Sequence, residues 1–273
     1  MHRVIFTCLL TFALSALAGN HGMPGDWQLA TGKLDLKRYR LVWSDEFDHL
    51  KTIGKDGDDT PWHVGVHAIL HQGERYAPAG DTTAYAVVNG VLTMTSRADA
   101  KGRYLEADLE TADKHGHILA WQNFYAEIRL RGPQVNGIHS GIWFLGREEG
   151  QGHPELDLVE QYGPGDKFDH HASHIWAPPA PHLYSSKLIS RPEGRKIDWH
   201  VYGLMATDDA FTVYRDGEAI VTIARQPSQR VPMYILLSLF GNVPKPPTAT
   251  MEVDYVRVYE IEGVAAARGT SPP

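Results

Sequence analysis

The sequence predicts an all-β protein, a sandwich or barrel of short antiparallel strands. Three observations predict it. Apolar and polar residues alternate over short runs, tight-turn residues separate those runs, and no stretch sustains an amphipathic helical pattern over three turns. The 26 Gly and 17 Pro suit the many turns of such a fold.

The elements follow in chain order. Ala86-Val87-Val88 and Val91 to Thr95 flank Asn89-Gly90, the strongest short hairpin signal. From Phe124 to Leu130 the alternation is clean, with Phe124, Ala126, Ile128 and Leu130 against Tyr125, Glu127 and Arg129. Ile142 to Leu145 and Val201 to Met205 read as further strands. A second hairpin runs from Phe211-Thr212-Val213-Tyr214 through Arg215-Asp216-Gly217 to Glu218-Ala219-Ile220-Val221. Tyr234 to Phe240 and Val253 to Ile261 complete the set.

The 273 residues divide simply. Residues 1–18 read as a secretory signal: Arg3 starts it, Val4 to Leu17 is mostly apolar, and Ala16-Leu17-Ala18 fits a cleavage site before Gly19. The apolar run is too short for a transmembrane helix, so export to the periplasm or outside the cell is expected, with no membrane contact after signal removal. Residues 19–38 form an extended leader, 39–262 one domain, and 263–273 a flexible tail. The single cysteine, Cys8, lies in the signal. The mature chain then has no disulfide and no thiol nucleophile, and core burial must stabilise it. A monomer is expected.

The net charge is −7, and loss of Arg3 with the signal leaves −8. Lys and Arg are scattered without runs, which argues against nucleic acid as a partner. Seven Trp and twelve Tyr supply flat apolar surfaces for stacking on sugar rings, although large aromatics also fill cores.

The most informative segment is Glu155-Leu156-Asp157-Leu158-Val159-Glu160. Glu155 and Asp157 share one face of a strand, and simple alternation puts Glu160 on the other, inside the core. A β-bulge at Leu158–Val159 would turn Glu160 back toward its partners. Like charges on close neighbours push pKa values apart, as an acid/base or nucleophile pair requires. In retaining glycoside hydrolysis, one carboxylate attacks while the other protonates the leaving oxygen and then activates water. Spacing leaves open which Glu takes which role. A calcium-binding edge or a solvated polar face is the alternative, but calcium loops carry Gly, Asn and Asp between ligands rather than Leu and Val.

This motif resembles that of glycoside hydrolase family 16, in its bulged form Glu-x-Asp-x-x-Glu, similar to the laminarinase, agarase and carrageenase branches. The resemblance extends over residues 41–260. It runs through Leu41-Val42-Trp43-Ser44-Asp45-Glu46-Phe47-Asp48, Phe124-Tyr125-Ala126-Glu127-Ile128-Arg129-Leu130 and Gly141-Ile142-Trp143-Phe144-Leu145. It continues in His200-Val201-Tyr202-Gly203, Tyr214-Arg215-Asp216-Gly217 and Val253-Asp254-Tyr255-Val256-Arg257-Val258-Tyr259. It implies a jelly-roll of two curved antiparallel sheets with a polysaccharide across a concave cleft. It further implies Glu155 as nucleophile, Glu160 as general acid/base and Asp157 as supporting acid, with no cofactor needed for catalysis. Trp143 would stack near the cleaved bond, and Trp62, Arg75, His174 and Trp176 are further candidate glycan contacts. A structural calcium on the outer face, held by Glu46 and Asp254, is also implied.

The chain departs from the family pattern after Trp62, and at Ser238, where many members have Asn. Both departures bear on the substrate; β-1,3-glucan, β-galactan and a bacterial exopolysaccharide remain open. Arg75 and Arg131 would suit an acidic or sulfated glycan, or else pair with acids. His63, His67 and His71, and separately His170, His171 and His174, are weaker candidates for zinc or copper. A carbohydrate-binding module and a transglycosylase on the same fold are the competing functions.

Overall fold

The computed structural model describes residues 26–49, 60–65, 76–113, 118–146, 153–177, 180–191 and 197–261. Among these, seventeen strands form two antiparallel sheets. In chain order they are β1 (Trp27–Leu29), β2 (Tyr39–Asp45), β3 (Tyr85–Val88), β4 (Val91–Ala98), β5 (Tyr104–Leu105), β6 (Ala107–Glu110), β7 (Ala120–Trp121), β8 (Phe124–Arg131), β9 (Ile138–Gly146), β10 (His153–Gln161), β11 (Asp169–Ala177), β12 (Ala180–Ser190), β13 (His200–Ala206), β14 (Ala210–Arg215), β15 (Glu218–Ala224), β16 (Met233–Gly241) and β17 (Ala249–Ile261). A ten-stranded sheet has the order β1-β15-β14-β13-β8-β17-β4-β3, with β2 on β17 and β5 on β4. A seven-stranded sheet has the order β12-β11-β10-β9-β16-β6, with β7 on β16.

Both hairpins form at their turn residues. Asn89 (φ 53°) and Gly90 (φ 75°) join β3 to β4, and Asp216 (φ 52°) and Gly217 (φ 82°) join β14 to β15. Two successive left-handed residues match the right-handed twist of the flanking strands. The core lies between the sheets. Phe124, Ala126, Ile128 and Leu130 of β8 enter it as their alternation predicts. Phe144 (β9), Leu156 (β10) and Leu237 and Leu239 (β16) meet them from the seven-stranded sheet. Close packing fixes some positions outright: a Cβ on Gly203 would lie 2.4 Å from the Tyr125 hydroxyl.

The described part of the leader is built into the sandwich. β1 pairs with β15 at the sheet edge, and Trp27 is buried in the core. The signal segment, Cys8 and the 263–273 tail lie outside the described residues. Among the described residues, no helix is long and apolar enough to cross a membrane.

Arg225 ties several loops together from inside. Its guanidinium donates to the carbonyls of Gln122 (2.8 Å), Thr207 (2.9 Å), Gln229 (2.8 Å) and Val231 (3.1 Å). Burial pulls its pKa down to about 10, so it stays charged at neutral pH. Arg225→Met would strand four carbonyls, each costing about 1 kcal/mol or more. The expected result is a melting temperature lower by roughly 10 °C, read by thermal denaturation.

Candidate active site

β10 carries the three acids and lies inside the seven-stranded sheet, between β9 and β11. Its register slips between Asp157 and Val159 against β9, and between Asp157 and Glu160 against β11. This is the expected bulge. Leu158 and Val159 both face the core. Glu160 is thereby returned to the side of Glu155 and Asp157, opposite Gly141 on β9 and His170 on β11. Gly141 has no side chain to fill the space before Glu160.

Each acid has its own surroundings. Trp176 donates from Nε1 to Glu155 Oε2 at 2.9 Å. Ligating-type atoms of Glu155, Asp157 and His174 all lie within 4.8 Å of one another, and His174 Nε2 is 3.7 Å from Asp157 Oδ2. Burial, then the charges of Glu155 and Glu160, raise the Asp157 pKa well above the usual Asp range, against a lowering by Lys187. Asp157 therefore favours its protonated form. Glu160 is shifted the other way. Burial would raise its pKa, but the His139 hydrogen bond and charge, the Tyr162 hydroxyl and Lys187 outweigh it, and the net shift is downward.

Around the acids stands a small apolar patch of Trp143, Leu145 and Leu236, with Tyr234 against it. Trp143 lies opposite Asp157 in register, on the acid face. Its indole donates to Ser238 Oγ (2.8 Å), which in turn donates to Asp108 Oδ1 (2.5 Å). Ser238 thus orients the tryptophan. Only 7% of Trp143 is exposed, so little of the ring is open to a sugar.

Other expected residues go elsewhere. Trp62 is fully buried, donates to Asp45 Oδ2 (2.9 Å) and packs edge-on against Trp43 (5.9 Å), so it belongs to the core and not to a glycan surface. Arg75, His67 and His71 lie outside the described residues. Arg131 is on β8 of the other sheet, paired with Glu252. Glu46 and Asp254 do not form a calcium site of the expected kind. Arg257 grips Glu46 through two nitrogens (2.9 and 2.8 Å), and Arg129 holds Asp254 (2.5 Å). Both carboxylates are already matched by guanidinium, where a calcium site needs them facing one ion. The histidines of β11 do not converge either. His171 turns inward to the Leu158 carbonyl (2.6 Å), while His170 contacts Asp166 (2.7 Å).

The sequence reading passed over His139, Tyr162 and Lys187. His139 shares the parity of Gly141 and Trp143 on β9, and Tyr162 is two residues beyond Glu160, so both could have been found by counting along the strands. Lys187 could not, because its position depends on the β11–β12 register, where it pairs with Ala172.

No family model matches the chain. It is 26% identical over 221 residues to endo-1,3-1,4-beta-glycanase EglC of Rhizobium meliloti, covering 75% of this chain and 44% of that one. The laminarinase structure from Rhodothermus marinus superposes with a TM-score of 0.66 at 26% identity, over 81% of this chain and 97% of that one. SCLam, a non-specific endo-β-1,3(4)-glucanase from family GH16, superposes with a TM-score of 0.69 at 22% identity, over 86% and 96%. The chain is similar in sequence and fold to these proteins, one of them a member of glycoside hydrolase family 16. Its two sheets match the jelly-roll of the superposed structures, with the bulged acid strand within one of them. The chain spans about half the length of the first curated relatives it matches, 44% and 50%.

Proposed function

We propose that this chain is a retaining endo-β-glycanase acting on β-1,3- and β-1,4-linked glucan. The observation that carries the reading is the bulge in β10, which gathers Glu155, Asp157 and Glu160 on one face. Glu155, its carboxylate held by Trp176, attacks the anomeric carbon and forms a glycosyl-enzyme. Glu160 protonates the departing oxygen and later takes a proton from water. Asp157, whose burial between the two acids raises its pKa and so favours its neutral form, limits the build-up of negative charge. The glucan specificity is supported by the names of the relatives, which act on 1,3-1,4-β- and 1,3(4)-β-linked polymers. Export is proposed from the signal features of residues 1–18 alone.

The test uses the chain without residues 1–18 on mixed-linkage β-glucan, β-1,3-glucan and a β-galactan. The expected result is a fast fall in viscosity with new reducing ends on the glucans. Redistribution of chain lengths without new reducing ends would make the protein a transglycosylase, and binding without cleavage a carbohydrate-binding module. Cleavage of the galactan alone would overturn the glucan assignment.

A further inference from the structure

His139 stands on the acid face of β9, and nothing in the reaction scheme above uses it. Its Nε2 lies 2.9 Å from Glu160 Oε1. The Tyr162 hydroxyl donates to the same oxygen at 3.1 Å. The two rings are stacked, with centroids 4.7 Å apart and planes at 14°. Phe240, the register partner of His139 on β16, closes the far side at 5.9 Å. The imidazole is therefore held between two aromatic rings with Nε2 beside the carboxyl group. Beyond Tyr162 the row continues to His170 at 4.9 Å, itself held by Asp166.

The Tyr162 hydroxyl and His139 Nε2 both meet Glu160 at Oε1, which leaves Oε2 for the substrate. We propose that His139 is a positioning residue that fixes the Glu160 carboxyl by Oε1, directs its proton from Oε2 to the leaving oxygen, and controls when that proton is present. This rests on the acid/base reading of Glu160. In the first step the Glu160 Oε2–H bond breaks and its proton goes to the glycosidic oxygen. The C–O bond breaks as Glu155 bonds to the anomeric carbon. The Tyr162 hydroxyl then donates to the new carboxylate, with His139 Nε2 beside the same oxygen. In the second step water attacks the same carbon, the bond to Glu155 breaks, and the water proton returns to Oε2. His139 keeps its own proton throughout.

The charge of His139 adds the control. A cationic imidazole at 2.9 Å favours ionised Glu160, which has no proton to give. Burial favours the protonated acid once the imidazole is neutral. The other ionisable groups near Glu160 are Asp157 and Glu155 on β10, Tyr162 beyond it, His170 with Asp166 and His174 on the β11 side, and Lys187 on β12. Phe240 brings no charge from β16.

Two variants, assayed across pH on β-glucan with folding checked by thermal melting, test this. His139→Gln keeps an N–H donor and removes the charge. Glu160 should then hold its proton to higher pH, so the basic limb of kcat/KM moves upward while kcat stays within about threefold of the parent. His139→Ala should move the limb the same way and lose about ten- to a hundredfold in kcat, the scale of a hydrogen bond to a charged group. An unmoved basic limb in both variants would overturn the proposal, as would equal losses in both without a shift. Glu160→Ala is run alongside. If it keeps full activity on the polymer, the acid/base reading itself fails, whatever His139 does.

Discussion

Glu155→Ala is expected to lower turnover on β-glucan by about 10⁴-fold or more, the scale of removing a covalent nucleophile. Azide should restore turnover on an aryl glycoside with a good leaving group, and the product should be the α-glycosyl azide. The stereochemistry follows from the site. The removed carboxylate leaves a space on the face from which Glu155 would attack, and Trp176 Nε1, which donates to Glu155 Oε2 at 2.9 Å, still supplies a hydrogen bond there. Azide entering that space attacks a β-glycoside once, with inversion. Glu160→Ala should behave oppositely. Its first step on an aryl glycoside survives, the glycosyl-enzyme accumulates, and azide displaces Glu155 in a second inversion to give the β-azide. The configuration of the azide, read by NMR, thus assigns the two carboxylates separately. A β-azide from Glu155→Ala together with an α-azide from Glu160→Ala would exchange their roles. The spacing in the sequence left that question open, and the register alone shows only that both acids share a face with Asp157.

The parts of the fold that were legible are those specified locally. The Asn89-Gly90 and Asp216-Gly217 turns need left-handed backbone, and both adopt it. The bulge was legible because an unbulged strand would bury Glu160 among Leu156 and Leu158, an unpaired carboxylate in the core. What failed depends on long-range partners. Trp62 looks like any cleft tryptophan until Asp45 and Trp43 close over it. Glu46 and Asp254 look like free calcium ligands until Arg257 and Arg129 arrive from neighbouring strands. The leader carried too few apolar residues to announce a strand, yet Trp27 anchors it in the core through its pairing with β15. His139 is the instructive omission. Strand parity places it with Trp143, but histidine reads as surface unless the strand it sits on is already known to line the acids.

Asp157→Asn should separate stability from activity. Asp157 is 7% exposed and lies between Glu155 and Glu160, and burial with those two charges raises its pKa well above the ordinary Asp range. Lys187 opposes this, but the net direction is upward. In the unfolded chain the same carboxyl titrates near its usual value of about 3.9. Between that value and the raised one, the native state holds a proton that the unfolded state has released. Stability from this group is therefore complete at low pH and is lost as pH rises through the native pKa. Asn has the shape of the protonated acid and never titrates. Asp157→Asn should melt above the parent at neutral pH, and the difference should vanish once the pH falls below the ordinary Asp range. Turnover should nevertheless fall by about 10²-fold, because the amide cannot share a proton with Glu155 as charge moves off Glu160. Thermal melts across pH beside kcat on β-glucan give both readouts. A variant less stable than the parent at neutral pH would mean that Asp157 is ionised there and held by His174, whose Nε2 is 3.7 Å away.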